Sequence, residues 1–483
     1  VPIGQMVIRK QATAGIMKET RGNYPAPLAA LKVALAGLSL PEEKAFEMES
    51  REFAKLCVGE VSQSLVRMFL SMQDAKKLPA GVSPVVQVKT VGVLGCGVMG
   101  AGIVQAAAFA GYKVVAREPF AKSMEKGKAA IKGMFDELVE RRKLTREEAD
   151  KRFGNITFTD KYTDLADCDL VIEAIIEDVK AKQEALAELE KVIVGKKFVF
   201  ATNTSSLSLN ELAVTAKDPS LFGGLHFFNP VHKMPLVEVV QGDKTSDATV
   251  AALKLFAGKL GKTVVTTKDS AGFIVNRILA PYLYEAIRLF EDGVPGEDIE
   301  KAMTKFGMPM GPLALLDEVG LDICSKVIHV MNAALGDRVG GTKLLDFVEK
   351  TKLLGKKGGK GIYLYDEKGK RLGFNPDLLA QVSQTPKKKK LEEIQDRLAM
   401  VMVNEAALCM AEGIVDTAAE LDLAMILGTG FSPFTGGPLR YADTLGSRVV
   451  QQKMGLLHQV AGENYKPAAL LAEHAASGTT FTR

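Results

Sequence analysis

Cysteine and histidine are scarce in this 483-residue chain, with five of each. The cysteines (Cys57, Cys96, Cys168, Cys324 and Cys409) are scattered. None forms C-x-x-C, and none has the nearby histidine that a zinc site requires. No metal site is therefore expected, and free thiols fit a reducing compartment. Long apolar runs are also missing. No stretch approaches the roughly 18 apolar residues of a membrane-spanning helix, so an integral membrane protein is not expected. Charge of one sign is not in excess: 62 Lys and Arg stand against 58 Asp and Glu, a net +4. That balance argues against nucleic acid or an anionic membrane surface as a partner. The opening VPIGQMVIRK has no initiator Met and no charged-then-apolar signal layout, and it reads as the continuation of something longer. What is present is ordinary globular composition, 47% hydrophobic and 25% charged. The length suggests roughly two to four domains.

One stretch organises the rest. Thr90 to Glu118 reads TVGVLGCGVMGAGIVQAAAFAGYKVVARE. An apolar strand breaks into Gly95-Cys96-Gly97-Val98-Met99-Gly100, followed by a small-residue helix, Gly111 as its stop, a second apolar strand, and Glu118. This strand–turn–helix–strand context turns a G-x-G-x-x-G match into a dinucleotide site. Gly95 suits the tight turn, Gly97 the close approach of a pyrophosphate, and Gly100 the packing of helix on strand. The helix start at Val98 and Met99 offers free N–H groups to the phosphates. Glu118 stands where a carboxylate accepts hydrogen bonds from the ribose hydroxyls of NAD.

From Val88 to about Lys268 strand and helix patterns alternate, with strand candidates at 90–94, 113–117, 155–159, 169–172, 198–201, 224–228, 237–240 and 263–267. Near-continuous apolar strands between helices predict a mostly parallel sheet covered on both faces. Before it, Gly and Pro punctuate the first 27 residues, and Pro25 to Leu38 is a short helical candidate. A long helix is expected from Pro41 to about Lys77. Its apolar stripe of Phe46, Phe53, Leu56, Val61, Leu65, Phe69 and Met72 should pack on the following domain. A Pro- and Gly-containing linker follows. After Lys268 the pattern is helical, starting with a helix over 273–292, and it repeats: the segment from Arg277 lies over that from Arg397 at an offset of 120. The expected fold class is thus α/β. A helical linker segment (1–88) precedes a Rossmann-type domain (89–268) and two repeated all-α domains (269–375 and 376–483).

Three strings at strand ends carry candidate chemistry. Asn203-Thr204-Ser205-Ser206 reads as a polar cluster or a helix cap. His226-Phe-Phe-Asn229-Pro230 sets an imidazole in an apolar strand, with His232 nearby in a Pro-flanked loop. Leu236-Val-Glu238-Val-Val240 puts a carboxylate in another. A buried carboxylate needs a partner. A His–Glu pair on adjacent strands supplies a base with a fixed tautomer for taking the proton of an alcohol oxidised by NAD. The Lys356-Lys-Gly-Gly-Lys360 stretch reads first as a solvated charged loop and second as a contact for a ligand's phosphates.

The strings GCGVMGAG, VIEAIIEDVKAK, ATNTSSL, GLHFFNP, LVEVV and DSAGFIVNRILAPYLYEA, in this order, resemble L-3-hydroxyacyl-CoA dehydrogenase. The duplicated helical part is similar to the multifunctional fatty-acid β-oxidation enzymes: the fatty-oxidation complex alpha subunit, the trifunctional alpha subunit and the peroxisomal multifunctional enzyme type 1. The resemblance implies NAD-dependent oxidation of L-3-hydroxyacyl-CoA to 3-ketoacyl-CoA. It implies His226 as base, Glu238 as its partner, and Ser205 and Asn276 as holders of the 3-oxygen. Glu177 and Lys182 match cofactor and ribose contacts, and Asn203 and Asn229 lie near the nicotinamide. Glu118 replaces the family's common Asp; Arg117 beside it raises the question of NADP, but neighbouring strand residues face opposite ways and the carboxylate repels a 2′-phosphate, so NAD is the expected cofactor. The second repeat has Asp396 where the first has Asn276, and so reads as a structural pseudo-repeat. RGNYPAPLAAL resembles the end of an enoyl-CoA hydratase module whose catalytic glutamates lie upstream, so hydratase activity belongs to an intact parent and not to this stretch. An acyl-CoA substrate, a thiolase subunit as partner and a bacterial cytoplasmic location follow from the same resemblance. Mitochondrial and peroxisomal homes stay open, although no C-terminal Ser-Lys-Leu is present. The competing readings are another NAD dehydrogenase with Rossmann and helical domains, of the 6-phosphogluconate or UDP-glucose kind, and a scaffold subunit of a thiolase complex.

Overall fold

The computed structural model describes residues 2–482. Two compact units emerge. One comprises Met72–Ile278 with Cys409–Gly428, and the other Val1–Ser71, Leu279–Leu408 and Thr429–Arg483.

The first unit is built on eight strands: β1 (Thr90–Leu94), β2 (Lys113–Arg117), β3 (Ile156–Thr159), β4 (Leu170–Glu173), β5 (Val199–Thr202), β6 (Phe222–Phe227), β7 (Leu236–Gln241) and β8 (Thr263–Lys268). They form one sheet in the order β3-β2-β1-β4-β5-β6-β7-β8. All neighbours are parallel except β6 and β7, which run antiparallel. Alternate residues feed the two faces. Val91, Val93 and Ile172 join a core with Ile103 and Ile131, while Leu94 and Val171 join another with Leu186, Leu189 and Phe200. Both faces are covered, which is why these strands read as continuous apolar runs. The strand order reverses between β1 and β4, the switch point where open α/β sheets bind ligands.

Strand ends differ from the sequence expectation by a residue or two. The largest shift is at β6, where Gly223 and Gly224 lie inside the strand. A Cβ on Gly224 would meet Val240 at 2.7 Å, and one on Gly223 would meet Leu253 at 2.8 Å. Side chains of β7 and of the helix Asp247–Lys259 fill the space that those glycines leave.

The second unit is helical apart from one hairpin, Tyr363–Tyr365 with Arg371–Phe374. Its start corrects one expectation, the single long helix. The glycine-bearing N-terminal stretch forms a helix, Pro2–Thr20, in which Cβ positions at Gly4 and Gly15 meet nothing. The single long helix is two, Glu42–Cys57 and Glu60–Asp74, interrupted at Val58-Gly59. The apolar stripe does not find the expected cover either: Phe46, Phe53 and Phe69 are 59%, 66% and 59% exposed.

The helical repeat is visible in element lengths. Helices Val275–Glu291, Gly296–Phe306, Pro312–Val319 and Leu321–Leu335 are answered by Leu391–Ala411, Ala418–Thr429, Pro438–Leu445 and Ser447–Ala461. The third and fourth pairs match in length, 8 and 15 residues. Part of the second repeat belongs to the sheet unit, where the N–H of Lys268 at the end of β8 donates to the Ile414 carbonyl at 2.8 Å. In the helical unit, Arg397 of the second repeat pairs with Glu285 of the first, a carboxylate with no exposure.

Asp169 pins the start of the sheet. Its Oδ2 accepts from the N–H groups of Lys89 and Thr90 at 2.9 and 3.0 Å, and its Oδ1 accepts from Lys196 Nζ at 3.0 Å. Burial would raise its pKa, but the two backbone bonds and the lysine outweigh burial and hold it below the ordinary value. A depressed carboxyl pKa contributes stability that is present above the unfolded value and lost as pH falls through the folded one. Asp169→Asn is therefore expected to cost about 1 kcal/mol at neutral pH. Thermal melts of the two proteins should converge as pH drops below about 4.

Candidate active site

The glycine turn lies at the carboxyl end of β1. Gly95 has φ +93°, and a Cβ there would sit 2.7 Å from the Ala174 carbonyl oxygen. A Cβ on Gly100 would fall on the Gly95 carbonyl group, while one on Gly97 would meet nothing within 4 Å. Gly97 precedes the helix Val98–Phe109 and supplies no side-chain cap, and Gly97 and Val98 are exposed, so the first N–H groups of the helix are offered to a ligand. That is a cradle for a pyrophosphate and fits NAD.

Glu118 is nearly buried. Its Oε2 accepts from the Cys96 N–H at 3.0 Å and its Oε1 from the Phe120 N–H at 3.3 Å. The carboxylate thus ties the glycine turn to the end of β2 and still has lone pairs for ribose hydroxyls. Its negative charge also pushes up the Cys96 thiol, already raised by burial, to about 12. Arg117 stacks its guanidinium 3.5 Å over the Tyr162 ring, as expected for a strand neighbour facing away from Glu118.

His226 and Glu238 are register partners across the one antiparallel pairing of the sheet. His226 Nδ1 lies 2.6 Å from Glu238 Oε2, and Glu238 has no exposure. The carboxylate requires the proton on Nδ1 and leaves Nε2 free to accept. The rings of Phe228 and Phe273 stand 4.5 and 5.5 Å from the imidazole. The other Glu238 oxygen accepts from the N–H groups of Ile274 and Val275 at 3.1 and 3.0 Å. These begin the helix that carries Asn276 as its second residue. Phe273, just before it, is held at φ +53°, a left-handed conformation uncommon for a bulky residue. The helix therefore starts at Val275 and not at Phe273 as the sequence suggested.

Asn203 and Ser205 follow β5, next to β6. Asn203 Oδ1 accepts from the Phe227 N–H at 2.9 Å, joining this loop to the residue after His226. Glu177 Oε1 accepts from the N–H of Ser205 at 3.1 Å and from the hydroxyls of Thr204 and Ser206. The β5–β6 loop and the base are therefore brought together, with Asn276 joined to them through Glu238. Asn229 is exposed in the loop after β6. His232, the rival histidine, is also exposed, and its pKa is lowered by burial and by Lys233.

Lys182 lies in the first turn of the helix Val179–Val192. It is 3% exposed, and its ammonium points to Glu173 and Glu177. Glu173 was not singled out from the sequence, although it is a carboxylate in an apolar strand, the same signal that marked Glu238. Lys356 and Lys357 pair with Glu318 and Asp322 at 2.7 and 2.6 Å, which favours the charged-loop reading of that stretch. In the second repeat, Asp396 pairs with Lys453.

Known proteins resemble this chain over most of its length. Residues 90–270 match the NAD-binding domain model of 3-hydroxyacyl-CoA dehydrogenase, and its C-terminal domain model matches twice, at 272–365 and 394–481. The chain is 37% identical over 486 residues to the fatty acid oxidation complex subunit alpha of Shewanella amazonensis, covering 99% of this chain and 68% of that one. It is similar to the structure of 3-hydroxybutyryl-CoA dehydrogenase from Escherichia coli, with TM-score 0.73 and 27% identity over 81% of this chain and all of that one. It is also similar to the dehydrogenase part of multifunctional enzyme 1 from C. elegans, with TM-score 0.61 and 26% identity over 84% and 96%. The paired C-terminal match, the NAD-binding domain and the relative covering nearly the whole chain identify a member of the 3-hydroxyacyl-CoA dehydrogenase family, of the fatty acid oxidation complex alpha-subunit kind, and hence an NAD-dependent oxidoreductase of fatty-acid β-oxidation.

Proposed function

We propose that this chain oxidises L-3-hydroxyacyl-CoA at a site made of His226, Glu238, Ser205 and Asn276. The observation that carries this reading is the 2.6 Å contact between His226 Nδ1 and a carboxylate with no exposure. His226 Nε2 takes the proton of the substrate's 3-hydroxyl. Glu238 fixes the tautomer and stabilises the imidazolium that results. Ser205 and Asn276 hold the oxygen as it becomes a carbonyl. NAD, when bound, supplies the acceptor for the hydride that leaves C3. The turn Gly95, Gly97, Val98, Met99 and Gly100 holds its pyrophosphate, Glu118 its adenosine ribose, and Asn203 and Asn229 flank the nicotinamide end, with Glu177 at the mouth.

Rings from Phe228 and Phe273 keep water from the imidazole, which strengthens the His–Glu interaction. The likeness to a bacterial alpha subunit supports a cytoplasmic enzyme that works beside a thiolase, with hydratase activity in an intact parent.

Reduction of acetoacetyl-CoA by NADH, followed at the nicotinamide absorbance, tests the assignment. His226→Ala should lower kcat by about 10³-fold while NADH still binds. A variant that keeps most of its rate sinks the base assignment. Glu238→Gln offers an amide in place of the carboxylate, and its N–H₂ opposes the Nδ1 proton if the carbonyl oxygen holds the helix. It should lower kcat roughly 10- to 100-fold with a smaller change in KM. An unchanged kcat would show that the dyad is structural.

A further inference from the structure

Strand β7 runs antiparallel to β6 and parallel to β8, so β6 ends where β7 and β8 begin. Because β6 is parallel to β5, β4 and β1, this is also the edge of the sheet at which β1 enters the glycine turn. Two segments meet there: the loop 228–235 between β6 and β7, and Lys262, the residue before β8. The loop opens with Phe228, whose ring is 4.5 Å from that of His226, and with Asn229. It then makes one helical turn, in which the N–H groups of Lys233 and Met234 donate to the Pro230 carbonyl at 2.9 and 3.0 Å. Val231, 2% exposed, seats this turn on the glycine helix Val98–Phe109: a Cβ on Gly102 would lie 2.8 Å from the Val231 Cβ. The Lys262 ammonium donates to the Val231 carbonyl and, at 2.8 Å, to the Met234 carbonyl. Its own backbone is fixed, with the Lys262 N–H on the Ala257 carbonyl at 3.2 Å and the Thr263 N–H on the Pro235 carbonyl at 2.8 Å.

We propose that Lys262 is a positioning residue: its ammonium clamps the β6–β7 loop by two main-chain carbonyls, keeps Val231 seated on the glycine helix, and so sets Phe228 and Asn229 beside the imidazole and the nicotinamide end of NAD. The inference rests on the proposed cofactor site and base. Among the described residues no carboxylate pairs with Lys262, and its side chain is partly buried. A lysine so placed spends its donors on carbonyls that the end of a short turn leaves in need of partners. Charge-assisted bonds of this kind are stronger than neutral ones. Small misplacement of groups around the reacting atoms is costly in rate.

A change of pH separates the clamp from simple packing. Burial pushes the Lys262 ammonium down to about 8. The charged groups around the turn are His232 and Lys233 within it, with Glu137 of the helix Ala121–Glu140 and Arg141 just after that helix. Lys259, on the helix that leads to Lys262, lies 4.1 Å from the centre of the Tyr112 ring. As pH rises through the Lys262 value, the ammonium loses its charge and one donor, and its hold on the two carbonyls weakens. An arginine keeps its charge throughout.

The experiment compares wild type, Lys262→Met and Lys262→Arg in the whole chain. NADH Kd is measured by fluorescence from about pH 7 to about pH 9.5, and kcat and KM for acetoacetyl-CoA near neutral pH. Lys262→Met keeps the apolar stem and removes the donors. It should raise the NADH Kd about fivefold and lower kcat about tenfold. Lys262→Arg should stay within about threefold of wild type near neutral pH. The wild-type NADH Kd should rise as pH passes about 8, and that of Lys262→Arg should not. A Lys262→Met variant with wild-type Kd and kcat overturns the inference. So does a Kd profile across that pH that is the same in wild type and Lys262→Arg, and this comparison decides if the methionine variant does not fold. A wild type that neither binds NADH nor reduces acetoacetyl-CoA sinks the functional reading and this inference with it. With an active wild type, the Lys262 variants bear on the clamp alone.

Discussion

Glu238 is a charge with no solvent, and such a charge is tolerated only when its oxygens are occupied. One oxygen takes the His226 Nδ1 proton, and the other takes two N–H groups from the start of the helix that bears Asn276. A helix N-terminus carries partial positive charge and unpaired donors. The carboxylate thus satisfies that terminus while orienting the imidazole. His226 and Asn276, from different parts of the chain, are registered against one rigid group. Phe273 supports the arrangement with its left-handed backbone and a ring 5.5 Å from the imidazole. Backbone strain of this kind persists where surrounding structure over-determines it.

Residues Cys409–Gly428 of the second helical repeat belong to the sheet unit and contact this arrangement. Besides the bond between Lys268 and Ile414, Glu412 pairs with Arg277 at 2.7 Å, one residue past Asn276. A Cβ on Gly428 would meet Val275 at 2.9 Å and Leu236 at 3.0 Å, so the repeat's backbone approaches the ends of both elements that Glu238 joins. Its own counterpart of Asn276, Asp396, is spent in an ion pair with Lys453.

Two buried carboxylates, Glu173 and Glu238, interrupt apolar strands of the same sheet, and both end up as hubs. The sequence pattern pointed to Glu238 because a histidine lay on a nearby strand. Glu173 escaped notice because its partner, Lys182, lies on a helix, where a lysine reads as solvated. The exposed phenylalanines of the Glu42–Cys57 and Glu60–Asp74 helices were misjudged for a related reason. Helical periodicity reports that residues share a face and does not report what covers that face. The break at Gly59 was equally hidden, since one glycine in a long periodic run is compatible with an uninterrupted helix.

The sequence by itself determined the alternation of strands and helices, the glycine turn, the internal repeat and the His–Glu candidate, because each depends on local spacing or on residues joined by a short hairpin. The opening at Gly97 and the blocked positions at Gly95 and Gly100 follow directly from that local pattern. Only the tertiary structure decided which groups meet across long separations. It brought the N–H groups of residues 274 and 275 to Glu238, the loop of Ser205 to Glu177, and Lys182 to a carboxylate at the end of β4. Those choices are made by burial. Once a strand end or helix start is removed from water, each donor and acceptor must find a partner in the fold, and sequence distance no longer limits which one.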